Sequence, residues 1–510
     1  MTSHIARQIE RIADESRKDI VSVIIQMQTK DDLQKYLQAT TEALSQRRSM
    51  VTARGLVPPD RESLRFGKKG ELTPAVRKLL RNSDTDASRW LLAGVLLEML
   101  SLRALRKRGY EALEPLLTSS WLKDVAAESS RLSKFWSSSS VVMNVEKGVL
   151  AELPKLVKSV SDVYPNRNIR VPPVSRSGPD ELPHVVRDNK AYTWGLSRTG
   201  AMACWGAFGA YGKGAKVAIL DTGVDAKHPD LAGKVVSYAE FDIGGNRINE
   251  GADKAVDDHG HGTHCAGVVA GGNSSGRWIG MAPEARILAG RVLREGLGTD
   301  AQILAGMEWA ITEGADIISM SLGGLRLTAD VLDTYTRAII NANRLGIPVV
   351  VAVGNEGSQT TGAPGNDYFA FTVGATDSDD RPAGFSGGRT QIIQTSRYIE
   401  PQYLPIVYSK PEVTAPGVDI YSCVLKGRWE AWNGTSMATP HVAGAMALLV
   451  GEPSGISRVK GIQRVNLLQT LLMSTVKELG EAGQDHRYGY GRIDILRAMG
   501  YAKELGYLGA

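Results

Sequence analysis

The run Ile347-Pro348-Val349-Val350-Val351-Ala352-Val353 constrains the fold more than any other part of this chain. A half-solvated strand alternates apolar and polar residues, and this run does not. It reads as a strand buried on both faces, which is the habit of parallel sheets. The segments 216–221, 286–293 and 316–321 are of the same kind. Helical patterns such as 299–313 and 329–343 lie between them. Strand–helix alternation implies right-handed crossovers and a doubly wound α/β sheet. Functional groups of such sheets gather beyond the carboxyl ends of the strands. Asp221, Ser321 and Asn355 each fall at such an end.

The first ~185 residues have a different texture. Strand-like runs at 19–27, 140–145 and 163–171 and helix-like runs at 30–46 and 149–160 suggest a βαβ-type α+β module. A helical insertion, roughly 60–135, separates its halves, and its strongest apolar face is 90–105. The polar stretch Ser175 to Pro183, with Gly178 and Pro179, is the best linker. The expected domains are therefore a module at 1–172, a linker at 173–190 and an α/β domain at 191–510. A chain of 510 residues has room for all three.

Composition narrows the function classes. The apolar share of 43% and charged share of 23% are those of a globular protein. A net charge of +5 over this length, with no basic run interleaved with aromatics, argues against nucleic acid. The longest apolar run, Trp90 to Leu100, is interrupted by Glu98 and too short to span a bilayer, so no membrane is expected. Three cysteines (Cys204, Cys265 and Cys423) make no disulfide framework, and the polar start Met1 to Glu10 lacks a signal-peptide core. The simplest expectation is a cytoplasmic protein with reduced thiols.

Three segments carry chemistry, in the order Asp, His, Ser. Val217 to Asp225 ends a strand at Asp221, a carboxylate able to orient an imidazole. His259-Gly260-His261-Gly262-Thr263-His264-Cys265 offers three histidines, and a histidine titrates near neutrality, as a general base must. Asn433-Gly434-Thr435-Ser436-Met437 places Ser436 at the start of an apolar helix, where developing negative charge is favoured. A serine there is equally an N-cap, and Asp221 equally a turn carboxylate. Asn355, after a buried strand, can donate its amide to an oxyanion beside the Ser436 N–H, or simply mark a turn.

Taken together, 190–500 resembles the catalytic domain of the subtilisin-like serine proteases, the subtilases, in motif residues and in order. The resemblance implies a seven-stranded parallel sheet covered by helices on both faces. It implies Ser436 as nucleophile, His261 as base, Asp221 as orienter and Asn355 as oxyanion donor. His264 would then be structural, and His259 would line the cleft. Ser321, Leu322, Gly323 and Gly324, with Ala352 and Gly354, would wall the specificity pocket, and Glu356 at its mouth would favour basic side chains. A peptide or protein substrate would bind as an added strand. Cys265 would sit beneath the site, or be a small buried hydrophobe. The chemistry would need no cofactor. Asp230 matches a family calcium ligand, while Ser274 and Gly276-Arg277 count against the site.

The amino-terminal region resembles the subtilase propeptide in part, which implies a folding chaperone and inhibitor whose carboxyl end occupies the active cleft, with a processing point between about 171 and 192. Its helical insertion departs from the pattern and offers a docking surface for a regulatory protein or an enlarged core. Residues 387–410, with Tyr398, Tyr403 and Tyr408, look like a second insertion. The leading expectation is an intracellular, autoinhibited, self-processing serine endopeptidase. The competing one is a catalytically idle peptide-binding or partner-docking scaffold, against which the intact catalytic positions count.

Overall fold

The computed structural model describes residues 2–29, 86–126, 132–178, 191–326, 334–396, 399 and 401–508; the side chains of 2, 3, 86–100, 124 and 326 are excepted. The expected helix at 30–46, the start of the insertion, Tyr398 and most of the linker lie outside these residues.

The amino-terminal module opens with helix α1 (Thr2–Glu15) and strand β1 (Ile20–Met27), followed by α2 (Asp86–Leu117) and α3 (Ser120–Ala126). Strands β2 (Ser133–Phe135) and β3 (Ser140–Glu146), helix α4 (Lys147–Leu156) and strand β4 (Val160–Pro165) complete it. Its sheet runs β2-β3-β1-β4, and every pairing is antiparallel. Since β3 and β4 both run against β1, they run parallel to each other, and β3–α4–β4 forms a βαβ unit with β1 set between its strands. Side chains of β1 alternate. Val21, Val23, Ile25 and Met27 join the module's own core with Ile5, Ile9, Leu150 and Leu153, whereas Ile24 faces the larger domain. Leu113, Leu116 and Trp121 are buried in that same core, so this part of the insertion enlarges it.

Two short strands follow, β5 (Asn168–Arg170) and β6 (Ser175–Ser177), and then helices α5 (Trp194–Thr199) and α6 (Ala201–Phe208). The large domain begins with β7 (Lys216–Asp221), β8 (Val235–Phe241) and β9 (Arg247–Glu250). Next come α7 (His261–Ala270), β10 (Arg286–Arg291), β11 (Leu297–Thr299), α8 (Asp300–Thr312), β12 (Ile317–Met320) and β13 (Gly324–Arg326). Then follow α9 (Thr336–Arg344), β14 (Val349–Ala352), β15 (Thr361–Ala363), β16 (Phe371–Thr376), β17 (Arg389–Ile393), β18 (Ile406–Lys410) and β19 (Val413–Pro416). The chain closes with β20 (Ile420–Val424), β21 (Arg428–Asn433), α10 (Thr435–Val450), α11 (Gly461–Ser474) and α12 (Ile495–Glu504).

The main sheet has eight strands in the order β19-β16-β14-β12-β7-β10-β8-β9. Seven are mutually parallel, as expected, and β9 adds an antiparallel edge. Both faces are buried, which explains the non-alternating runs. Val217, Ile219 and Val350 meet Met437, Val442 and Leu448 on the α7/α10 side. Ala218, Leu220, Val349 and Val351 meet Leu304, Met307 and Ile339 on the α8/α9 side. The 387–410 segment is the antiparallel hairpin β17–β18, pinned where the buried Tyr408 hydroxyl donates to the Asn366 carbonyl at 2.7 Å.

The module sits on the α8/α9 face. Ile24, Phe135, Trp136 and Val142 share an apolar cluster with α8 and α9. Arg337 Nη1 donates to the carbonyls of Met27 (2.6 Å) and Ser138 (3.2 Å), and Asn341 Nδ2 donates to Ser137 O at 2.6 Å. Glu308 accepts from the Ser137 N–H at 3.0 Å.

Candidate active site

β7 delivers Asp221 to the carboxyl edge of the sheet, and α7 starts with His261 just after Gly260, whose φ of 94° suits glycine. The ring Nδ1 of His261 lies 2.7 Å from Asp221 Oδ1, and both residues are fully buried. Asp221 Oδ1 also accepts from the Thr222 N–H at 2.7 Å. Burial opposes a charged imidazole, but the Asp221 carboxylate outweighs it and holds the pKa of His261 well above its ordinary value. His261 Nε2, the atom a base would use, is buried and has no hydrogen-bond partner among the described residues.

Ser436 is the second residue of α10, fully buried, and its hydroxyl donates to the Ser321 carbonyl at 3.3 Å. Ser321 Oγ donates to Ser436 O at 2.8 Å, and Cys265 Sγ donates to the same carbonyl at 3.4 Å while lying 4.0 Å from His261 Nδ1. Cys265 thus sits beneath the site, where burial pushes its thiol up and keeps it un-ionised. Asn355 is held from one side by Thr435. Its Oδ1 accepts from the Thr435 N–H (2.9 Å) and Oγ1 (2.7 Å), which aims its Nδ2 into the cleft.

The other histidines separate by environment. His264 bonds Ile420 O through Nε2 at 2.9 Å and stacks on Trp432 at 4.8 Å, and burial lowers its pKa to about 3. His441 bonds Met437 O at 2.8 Å and falls to about 4 for the same reason. Both stay neutral at physiological pH. His259 packs against Gly296 at the cleft edge.

The predicted pocket walls come together. Ser321 to Gly324 follow β12, while Ala352 ends β14 and Gly354 follows it with φ 113°. Glu356 folds back so that its Oε2 accepts the Asn355 N–H at 2.9 Å, and a Cβ on Gly354 would lie 2.7 Å from that oxygen. The carboxylate therefore lies against the Gly354 wall.

The cleft is filled by the chain's own residues 168–177. Strand β5 pairs antiparallel with β11, Val171 N donates to Gly296 O at 2.9 Å, and Arg170 bridges Gly323. Ile169 is 3% exposed, and Pro172 is buried. The Pro173 carbonyl accepts from Asn355 Nδ2 at 2.8 Å. Beyond it, β6 pairs antiparallel with β21, and Arg176 lies over the Trp432 ring. The resemblance to the subtilase propeptide implies a carboxyl end lying in the cleft, and this strap lies there, although its second half, from 173, falls in the stretch read as linker.

Asp230 does not fit the calcium role. Its Oδ1 accepts from the Ser274 N–H (2.7 Å) and its Oδ2 from the Trp429 indole N–H (2.6 Å). A Cβ on Gly272 would lie 3.1 Å from Asp230 Oδ1 and 3.7 Å from Lys234 Nζ, so an ammonium already stands beside the carboxylate. Each oxygen already accepts one N–H, and the nearby ammonium opposes a second cation.

A model described as the subtilase family matches residues 212–491, more than half of the chain. Subtilisin DY of Bacillus licheniformis is 36% identical over 294 residues, 57% of this chain and 92% of that protein. The serine protease AprX of Bacillus subtilis (strain 168) is 35% identical over 336 residues, 60% of this chain and 68% of that protein. An intracellular serine protease of Paenibacillus polymyxa is 36% identical over 262 residues, 50% of this chain and 72% of that protein.

Proposed function

The chain belongs to the subtilase family and is a serine endopeptidase of the subtilisin type, and from that premise we propose that Asp221, His261 and Ser436 are its catalytic triad and that its amino-terminal module holds it as a self-processing zymogen. Ser436 Oγ attacks the scissile carbonyl of a peptide or protein substrate and gives its proton to His261 Nε2. Asp221 fixes the imidazole's orientation and stabilises its charged form. The oxyanion is met by Asn355 Nδ2 and the Ser436 N–H. His261 returns the proton to the leaving amine, and water releases the acyl group. The substrate strand lies between the backbones of β11 and 321–324, with its side chain between the Ser321–Gly324 and Ala352–Gly354 walls.

The observation that carries the inhibitory part is the strap. An extended segment of the same chain occupies both sides of the cleft and puts a carbonyl on the oxyanion donor. The contacts of Glu308, Arg337 and Asn341 with the module support its role as a tethered inhibitor. Processing falls between residues 172 and 191, freeing the domain from 191 onward.

Three buried free cysteines and the similarity to a protein named for intracellular action support work inside the cell. No helix among the described residues is long and apolar enough to cross a membrane. Recovery of the protein from the culture medium alone overturns the intracellular part.

The first test compares the intact mass of the purified protein with that of Ser436→Ala. Shortening by roughly the module in the first and none in the second is expected. Identical shortening in both overturns self-processing.

A further inference from the structure

Strand β21 pairs with β20 along one edge, and its other edge carries the short strand β6. Such an edge offers a row of N–H and C=O groups to any extended chain that comes alongside. The register of β6 therefore marks where the leaving side of a substrate would lie. Pro173 puts its carbonyl on Asn355 Nδ2, so Val174 is the first residue beyond that carbonyl and Arg176 the third. Ser175, Arg176 and Ser177 stand opposite Asn433, Trp432 and Ala431.

Opposite residues of an antiparallel pair project on the same face, within reach of each other. The guanidinium carbon of Arg176 lies 5.2 Å from the centroid of the Trp432 ring, and its Nε lies 3.4 Å from Glu430 Oε2. The same carboxylate oxygen accepts the Trp432 indole N–H at 2.9 Å, so ring and carboxylate hold each other in place. Trp432 also stacks on the buried His264 at 4.8 Å, which fixes the plane of the ring. Arg428 approaches Glu430 as well, but on the other oxygen, at 3.9 Å and from solvent. Oε2 and the ring are left to the chain that lies along β21. A planar guanidinium suits them better than an ammonium does, because it stacks flat on an aromatic face while its N–H groups reach a carboxylate.

We propose that Trp432 and Glu430 form a subsite on the leaving side of the cleft, and that it takes an arginine as the third residue after the cut bond. The proposal rests on the reading of Ser436, His261 and Asn355 as the catalytic groups, since Asn355 sets the count. The subsite binds substrate far from the reacting atoms and takes no part in proton transfer. A partly exposed ion pair and one stacked cation each contribute modestly, so the preference is about 3- to 10-fold over alanine, and salt weakens it.

The test uses the processed enzyme obtained from the full chain and internally quenched peptides in which arginine is moved through the first four positions after the cut bond. Mass spectrometry locates the cut. Arginine at the third position is expected to raise kcat/KM by about 3- to 10-fold over alanine, lysine less, and glutamate to lower it. Glu430→Gln keeps an acceptor for the indole N–H, and it is expected to shrink the arginine-to-alanine ratio and to remove its dependence on salt. A ratio near one in the native enzyme, or a preference for arginine only at another position, overturns the subsite. So does a ratio that neither Glu430→Gln nor Trp432→Leu changes, in variants with native thermal melting. Peptide turnover absent from the native protein, or persisting in Ser436→Ala, overturns the catalytic reading and the subsite with it. Turnover that Ser436→Ala abolishes but that ignores the third position overturns the subsite alone.

Discussion

Asn355 does two jobs with one side chain. Its carbonyl oxygen is held by Thr435, and its nitrogen is left to meet a carbonyl in the cleft. The Asn355→Ala chain, released from its module, should lose about 100- to 1,000-fold in kcat with little change in KM, a range established on the corresponding donor of a subtilisin. Steady-state kinetics on one peptide check this, and a loss confined to KM contradicts the role. The neighbouring carboxylate makes a second expectation. Glu356 lies against the Gly354 wall with one oxygen bound by the Asn355 N–H. Its negative charge favours a cationic side chain in the pocket, so Glu356→Gln should lower kcat/KM several-fold for lysine substrates while sparing apolar ones. A library profile unchanged by the substitution removes Glu356 from the specificity account.

Among the elements, the 271–278 loop and the turn holding Asp230 form one polar unit. Ser274, Trp429 and Lys234 satisfy or balance the buried carboxylate with the chain's own groups. Lys234 donates to the Ala270 carbonyl, and burial lowers its pKa even though Asp230 opposes the shift. Two consequences follow. A chelator should leave the melting temperature of the protein unmoved, and added calcium should not raise it. Lys234→Met should destabilise the fold by about 1–3 kcal/mol, the cost of stranding buried polar partners. Differential scanning calorimetry reads both, and a chelator-induced drop of several degrees would restore the calcium reading.

Across the whole molecule, the module and the large domain meet through a titratable contact. Burial beneath the module pushes Glu308 from its ordinary value of 4.5 up to about 7, and the Ser137 N–H only partly offsets this. A docked state that raises an acid's pKa binds its proton more tightly than the free state does. Docking is therefore firmest below pH 4.5 and weakens as pH rises toward about 7. Hydrogen-exchange protection of residues 133–146, followed from pH 4.5 to 8 in the uncut Ser436→Ala chain, should fall relative to a Glu308→Gln control at each pH. A constant ratio between the two proteins refutes the coupling. Such a contact would make the docking of the module depend on pH.

The residues proposed as catalytic could be picked out because each lies within a few residues of the element that places it. Asp221 ends an apolar strand, His261 and Ser436 open helices, and Asn355 follows a buried run, so local patterning located the site and the parallel sheet. The same locality let composition separate the module from the large domain. The tertiary structure decided what depends on partners distant in sequence. Asp230 is engaged by Trp429 and balanced by Lys234, which no spacing connects to it. That β1 lies between β3 and β4, antiparallel to both, was decided there too, because an apolar run records burial and not strand order. The propeptide resemblance put the module's carboxyl end in the cleft, but not its course: backbone pairing between 168–177 and strands more than a hundred residues away is indifferent to side chains.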